Sequence, residues 1–151
     1  MLFLLCENPM VTANGSYEFF DHAADVGIRI LARSLEGLFA TAARALMDWI
    51  GSAPEGRPVS GLEVRVQAED IEDLLVRWLQ ELIYQFQCRH TYITEVSNVR
   101  LIGHELKATL AGIIWDENAR QEYREVKAVT YHQLSVRQDQ GFWEARVILD
   151  V

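Results

Sequence analysis

Apolar residues recur along this chain at two spacings, one typical of helices and one typical of strands, and each change of spacing predicts a new secondary-structure element. After Ser34, apolar residues recur at three- and four-residue steps, which predicts an amphipathic helix to about Ile50 that stops at Gly51. A second stripe of this kind begins after Asp70 and continues to Phe86. Ser34 and Asp70 are suited to cap these two helices, because their side-chain oxygens can accept from free backbone N–H groups.

Alternation of apolar and polar residues predicts the strands. The segments with alternating or β-branched character are 28–33, 62–68, 91–102, 106–114, 125–137 and 142–151. Asp139-Gln140-Gly141 predicts a tight hairpin turn between the last two. Residues 51–60 and 115–123 are predicted as loops from their proline, glycine and polar content. The order predicts a single α+β domain, with two main helices packed on one side of a mostly antiparallel sheet.

Composition narrows the function classes. The 151 residues carry a formal net charge of −8, with 22 acidic against 14 basic residues. Binding to a phosphate backbone needs a lysine- and arginine-rich surface, so we expect no direct contact with nucleic acid. An acidic surface favours basic protein partners and divalent cations instead. The composition does not fix the oligomeric state.

The N-terminal segment and the cysteines bear on location. Residues 1–16 are predicted as a flexible extension before a domain at 17–151, with Met1 or Met10 as the start. The apolar run at Met1–Cys6 is too short for a membrane span and lacks the basic flank of a signal peptide. Cys6 and Cys88 have no metal-type spacing and fit a reducing compartment, so we expect a cytoplasmic protein without membrane contact.

Carboxylates stand at the ends of two predicted strands. Asp150 falls on the more polar face of the last strand and is followed by Val151, whereas Asp21 and Asp25 flank His22 near the start. Each place alone fits an ordinary solvated strand end or a turn cap. If folding brings Asp25, Asp150 and an oxygen of Val151 together, they supply part of the oxygen shell of Ca²⁺, Mg²⁺ or Mn²⁺.

Two histidines adjoin these carboxylates. His22 is placed to orient Asp25 as an outer hydrogen-bond donor, and Asp21 is a further candidate for such a contact. His132 ends a strand segment, where a structural hydrogen bond is the more common role. The chain lacks the nucleophile-elbow, P-loop, dinucleotide and zinc-protease motifs, so no catalytic residue is assigned.

Four segments together resemble the archease family, over residues 17–151. They are Asp21 to Gly27, Leu74 to Leu79, Glu125 to His132, and Gly141 to Val151. The resemblance implies a compact fold related to a small strand-helix-strand-strand module. It also implies a divalent cation, Ca²⁺ in crystals, on Asp25, Asp150 and Val151. Two positions depart from the family pattern: Ala23 stands where threonine is usual, and Ile113 where an acidic residue commonly follows the glycine.

The resemblance further implies a role as an accessory protein of the RtcB-type tRNA-splicing RNA ligase. Such a protein is not an enzyme itself; it promotes guanylylation of the ligase and permits multiple turnovers in tRNA splicing and RNA repair. The alternative interpretation is a general chaperone or protein-interaction module without ligase specificity. A stand-alone metal-dependent nuclease or phosphatase is a third interpretation, and the absence of a general base and a full ligand set argues against it.

Overall fold

The computed structural model describes residues 15–116 and 122–151, which form two helices and seven strands. The helices are α1 (Leu35–Ile50) and α2 (Ile71–Arg89). The strands are β1 (Gly15–His22), β2 (Asp25–Ala32), β3 (Gly56–Gln67), β4 (Thr91–Ile102), β5 (Glu105–Trp115), β6 (Ala128–Asp139) and β7 (Phe142–Asp150).

All paired strands are antiparallel, which confirms the predicted α+β class. The strands are divided between two sheets, one in the order β1-β2-β7-β6 and one in the order β3-β5-β4. Both helices contact strands of both sheets. Each sheet therefore buries one face against the helices, and the core lies where the helices meet the two sheets.

The helices begin where the sequence predicts them. Ser34 accepts the N–H of Gly37 at 3.0 Å, and Asp70 accepts the N–H of Asp73 at 2.7 Å. The two helices are joined by the indole of Trp78, which is fully buried and donates to the Phe39 carbonyl at 2.9 Å. Neither helix is long and apolar enough to cross a membrane.

Strand β1 was not predicted, and β3 and β5 extend into segments predicted as loops. Strand β3 begins at Gly56, inside the predicted loop 51–60, and includes Pro58. Proline is tolerated there because β3 is an edge strand, so its missing N–H costs no ladder bond on the open side. Strand β1 starts at Gly15, within the predicted extension 1–16. Residues 1–14 of that extension lie outside the described residues, as do residues 117–121 of the predicted loop 115–123.

The four-stranded sheet has a helix-facing side and an outer side. Ile28, Val147 and Leu149 lie on the helix-facing side and are fully buried in the core. Their neighbours along β2 and β7 alternate to the opposite side, which we call the outer face. The outer face receives Asp25, Gly27 and Arg29 from β2 and Arg146, Ile148 and Asp150 from β7.

Candidate functional site

A two-residue hairpin turn positions the first acidic group. Strands β1 and β2 pair so that His22 faces Asp25, with only Ala23 and Ala24 between them. Ala23 has a φ of 53°, in the left-handed region where a non-glycine residue costs about 1 kcal/mol. A tight turn of this geometry holds the His22 and Asp25 side chains on the same face of the sheet.

The register of the central strands brings the second acidic group beside the first. β2 pairs with β7 from Ala32↔Trp143 to Val26↔Leu149. One further step along this register places Asp25 opposite Asp150. Facing residues in an antiparallel pair have Cβ atoms about 4.5–5.5 Å apart. Extending the register by this one step makes Asp25 and Asp150, from opposite ends of the described chain, neighbours at one end of the sheet.

These residues belong to a row across the end of the sheet, which we call the acidic row: His22, Asp25, Asp150 and Ala128. The backbone carbonyl of Asp150 accepts the Lys127 N–H at 2.8 Å, which holds the end of β7 against β6. Val151 packs its side chain against the core, so the residue after Asp150 is also fixed in place. Asp25, Asp150 and Val151 are all partly exposed.

Asp21 is not part of the acidic row. It pairs with Val26, so by alternation its side chain lies on the opposite side of the sheet from Asp25. Asp21 is exposed to solvent. Neither Asp21 nor Asp25 caps a helix; Asp25 follows the hairpin turn directly, and Asp21 lies one pair further along β1.

The two histidines contact each other. Their ring centroids are 5.2 Å apart at an interplanar angle of 62°. The Nδ1 atom of His22 is buried without a hydrogen-bond partner among the described residues. The backbone N–H of His132 donates to Thr130 Oγ1 at 3.3 Å, while its ring lies against His22. His132 thus combines a local hydrogen bond with a side-chain contact to the acidic row.

An irregularity in β6 accounts for this contact. Between the pairs Thr130↔Ile148 and Ser135↔Arg146, β6 advances five residues while β7 advances two, so β6 carries three extra residues. We call residues 131–134 the β6 bulge. Bulges of this kind bend the strand and redirect side chains, and they occur often beside functional sites.

The β6 bulge is anchored to the start of α2. The Tyr131 hydroxyl donates to Asp73 Oδ1 at 2.6 Å, and Arg77 Nε donates to Asp73 Oδ2 at 2.9 Å. These hydrogen bonds, the one from Tyr131 above all, lower the pKa of Asp73. Both oxygens of the Asp73 carboxylate therefore accept hydrogen bonds, and the one from Tyr131 holds the residue that precedes His132 in place.

The donor set of the acidic row suits a hard cation but is incomplete. Carboxylate and carbonyl oxygens are the preferred ligands of Ca²⁺ and Mg²⁺, which take six or more of them. Across 15–116 and 122–151, no group of three or more His, Cys, Asp and Glu residues is arranged to hold a metal ion. Asp25, Asp150 and an oxygen of Val151 thus fit such a cation only as part of a shell that water or another molecule completes.

Sequence reasoning missed the packing beside the acidic row. A Cβ at Gly27 would overlap the Phe20 ring, so the ring occupies the space left by the missing side chain at Gly27. We call this space the seat of the Phe20 ring. The guanidinium of Arg146 lies 5.1 Å above the same ring. Only the β1–β2–β7 register connects these three residues, and no local spacing in the sequence signals it.

Ile113, the second departure from the family pattern, lies in the other sheet, paired with Tyr92 and Pro58.

The fold places the chain among small α+β proteins in which two helices pack against antiparallel sheets. The Archease protein family (MTH1598/TM1083) matches residues 17–151. The protein archease of Saccharolobus islandicus is 33% identical over 140 residues, which cover 90% of this chain and 99% of that protein. The protein archease of Pyrobaculum neutrophilum is 32% identical over 139 residues, which cover 89% of this chain and 95% of that protein. The chain therefore belongs to the archease family.

Solved structures agree with this assignment. The solution structure of Methanobacterium thermoautotrophicum protein 1598 has a TM-score of 0.67 and 28% identity, covering 89% of this chain and 98% of that one. The crystal structure of an archease from Thermotoga maritima, described as a possible chaperone, has a TM-score of 0.62 and 23% identity, covering 87% and 94%. The second likeness concerns the fold alone.

Proposed function

We propose that this protein is an accessory factor that activates an RtcB-type RNA ligase in the cytoplasm by presenting a divalent cation on Asp25, Asp150 and Val151. The observation that supports the proposal is the β2–β7 register, which ends at the pair Val26↔Leu149, so that Asp25 and Asp150 are the next residues of the two strands. Membership of the archease family supports the choice of partner. The ligase performs the chemistry; this chain supplies no catalytic residue.

The incomplete oxygen shell supports an accessory role rather than independent catalysis. A bound divalent cation would supply positive charge to the triphosphate of GTP during guanylylation of the ligase, a reaction governed by alignment and electrostatics. The ends of β2 and β7 are held in a fixed register, and His22, which faces Asp25, contacts the ring of His132. Water or groups of a partner would have to complete the shell of a bound cation.

A guanylylation assay tests the proposal. The ligase is incubated with radiolabelled GTP, with and without this protein, and the labelled ligase is quantified. Asp25→Ala and Asp150→Ala should each abolish the stimulation, while circular dichroism shows the wild-type fold. Glu95→Ala removes an exposed carboxylate of β4, in the other sheet and away from the acidic row, and should stimulate like wild type. Undiminished stimulation by both acidic-row variants would overturn the proposal.

A general chaperone is the second candidate, because the Thermotoga maritima relative is described as a possible chaperone. A holdase presents a contiguous apolar surface to its clients. The large exposed apolar side chains among the described residues lie on four different elements: Tyr84, Ile102, Tyr131 and Phe142. Suppression of aggregation of unrelated proteins, unchanged by Asp25→Ala, would favour this second function over ligase activation.

A further inference from the structure

Two arginines face each other in the middle of the outer face. Arg29 of β2 pairs directly with Arg146 of β7. Like charges in facing positions of an antiparallel pair repel and destabilise the sheet unless other groups compensate them. Arg29 is compensated, because its guanidinium lies 2.7 Å from Glu144 and 3.4 Å from Glu18.

Arg146 has no such compensation. It is exposed, and it forms no ion pair with any carboxylate of the described chain. Its guanidinium is instead stacked 5.1 Å above the Phe20 ring, which Gly27 seats against the sheet. Glu144, two residues away on the same strand, is already shared by Arg29 and, at 3.8 Å, by Arg137.

A second arginine repeats this arrangement further along the sheet. The guanidinium of Arg33, just past the end of β2, lies 5.4 Å above the ring of Phe142, which begins β7 and is 44% exposed. Arg33 likewise has no ion-pair partner within the described residues. Phe142 shares the outer face with Arg146 by alternation. We call Arg33, Phe142, Arg146 and Phe20 the stacked-arginine face.

We infer that the stacked-arginine face is the docking surface for a protein partner that presents carboxylate side chains to Arg146 and Arg33. The inference deepens the proposed function and rests on it for the identity of the partner, the ligase. Arginine and aromatic side chains are enriched where binding energy concentrates in protein interfaces. A guanidinium already ordered by a ring loses less freedom on binding, and its fork matches a carboxylate in two hydrogen bonds.

The position of this face also fits the proposed role. Arg146 and Asp150 lie on the same side of β7, four residues or about 13 Å apart. The buried Ile148 lies between them, so a partner docked on the arginines would be near the acidic row without a continuous exposed surface joining the two. A nucleic-acid backbone is the less suitable occupant, because it needs an extended lysine- and arginine-rich surface, whereas Arg33 and Arg146 are isolated charges on a face that also carries Glu18 and Glu144.

Binding and stimulation of the ligase, measured separately, test the inference. Ligase affinity is determined by biolayer interferometry, and guanylylation is measured as a function of the concentration of this protein. Arg146→Glu should weaken binding on the order of tenfold or more and raise the half-maximal concentration by the same factor, with the plateau unchanged. Asp25→Ala should have the opposite signature, a lost plateau. Arg146→Gln removes the charge, retains the Cβ and Cγ methylenes and introduces no negative charge, so it should give a smaller loss in the same direction.

Arg100→Glu is the matched control. Arg100 is an exposed arginine of β4 in the other sheet, and it too faces a basic residue, Lys107, across its ladder. The Arg100→Glu variant should bind the ligase with an affinity within about twofold of wild type, because the same charge change is made away from the outer face. Thermal denaturation shows whether each variant is folded. If Arg146→Glu is unfolded, the comparison is made with Arg146→Gln.

Each remaining outcome decides the question. Equal binding by the Arg146 variants and wild type, or an equal loss in Arg100→Glu, would overturn the docking surface and leave the proposed function standing. A wild-type protein that neither binds nor stimulates the ligase would refute the proposed function, and the docking surface with it. If Arg146→Glu instead weakens binding to an RNA oligonucleotide alone, or abolishes self-association, the occupant is not an acidic protein surface and the inference is wrong.

Discussion

The rings of His22 and His132 meet with their centroids 5.2 Å apart, although the two residues belong to opposite edge strands of one four-stranded sheet. Edge strands of such a sheet are separated by three strand spacings, about 14 Å in total. The contact exists because the three extra residues of the β6 bulge carry His132 toward the β1–β2 hairpin. The contact of His132 with the acidic row thus depends on the conformation of the bulge, which Tyr131 anchors to α2.

Removing that anchor should loosen the bulge. Tyr131→Phe deletes the hydroxyl that donates to Asp73 at 2.6 Å and leaves the ring in place. We expect the thermal midpoint to fall by roughly 2–4 °C, the shift that a single lost hydrogen bond produces in a domain of this size. The His22 and His132 ring resonances should also broaden or shift in nuclear magnetic resonance spectra. Tyr84→Phe, at an exposed tyrosine of α2, should change neither quantity.

The stability difference between wild type and Tyr131→Phe should depend on pH in the acidic range. The pKa of Asp73 is lowered in the folded state, chiefly by the Tyr131 hydrogen bond and next by Arg77. A lowered folded pKa contributes stability above the unfolded value of about 3.9, and this contribution is lost as pH falls through the folded pKa. Urea midpoints of the two proteins should therefore converge below about pH 3.9. A constant difference from pH 7 to pH 2 would contradict this account.

Cation binding by the acidic row can be measured without the ligase. Calcium should raise the thermal midpoint of wild type, because a ligand that binds only the folded state stabilises it. Asp25→Asn and Asp150→Asn should weaken Ca²⁺ binding about tenfold or more, or about 1.4 kcal/mol, by isothermal titration calorimetry. In EDTA the same variants should be as stable as wild type or more stable by up to about 1 kcal/mol, since two facing carboxylates repel. Equal calcium-induced shifts in wild type and both variants would exclude the site.

The helices and most strands could be predicted because their signals are local. Ser34 and Asp70 cap helices whose apolar stripes are complete within the segment, and β4 begins and ends at the predicted residues. The start of β3 and the division into two sheets were not predictable, because Pro58 is acceptable only once β3 is known to be an edge strand. Edge position is a property of the whole fold and not of a segment.

The candidate site divides in the same way. Asp25 and Asp150 can be singled out from the sequence, since both are carboxylates at the ends of apolar strands. Their side-by-side placement, and the contact between His22 and His132, follow from strand register and a bulge, which are long-range features. The stacking of Arg146 on Phe20 could not be predicted either, because those residues lie on strands that do not pair with each other.

The seat of the Phe20 ring offers a further test of the outer face. In Gly27→Ala the added Cβ overlaps the ring, so Phe20 must swing away and release Arg146. We expect Gly27→Ala to cost about 1–3 kcal/mol of unfolding free energy, as overpacking does. In a Phe20→Ala background the same change should cost little, which gives a coupling energy of about 1 kcal/mol or more in a double-mutant cycle. Additive effects of the two substitutions would mean that Gly27 does not serve as the seat of the ring.

A buried tyrosine near the end of α1 should govern stability in alkaline solution. Tyr92 is 6% exposed, and its hydroxyl donates to the Gly51 carbonyl at 2.7 Å. Burial, reinforced by the negative charge of Asp48, raises the pKa of Tyr92 to about 12. Because the folded pKa lies above the unfolded value of about 10, its contribution to stability is complete below pH 10 and is lost as pH rises through the folded pKa.

Tyr92→Phe removes both the hydrogen bond and the titrating group. At pH 8 the variant should be about 1 kcal/mol less stable than wild type, the usual cost of losing such a bond. Between pH 10 and pH 12 the wild-type urea midpoint should fall more steeply than that of Tyr92→Phe, so the two curves approach each other. Tyr84→Phe, which removes an exposed tyrosine, should run parallel to wild type over the same range. Parallel curves for wild type and Tyr92→Phe would show that the buried hydroxyl does not control the alkaline loss of stability.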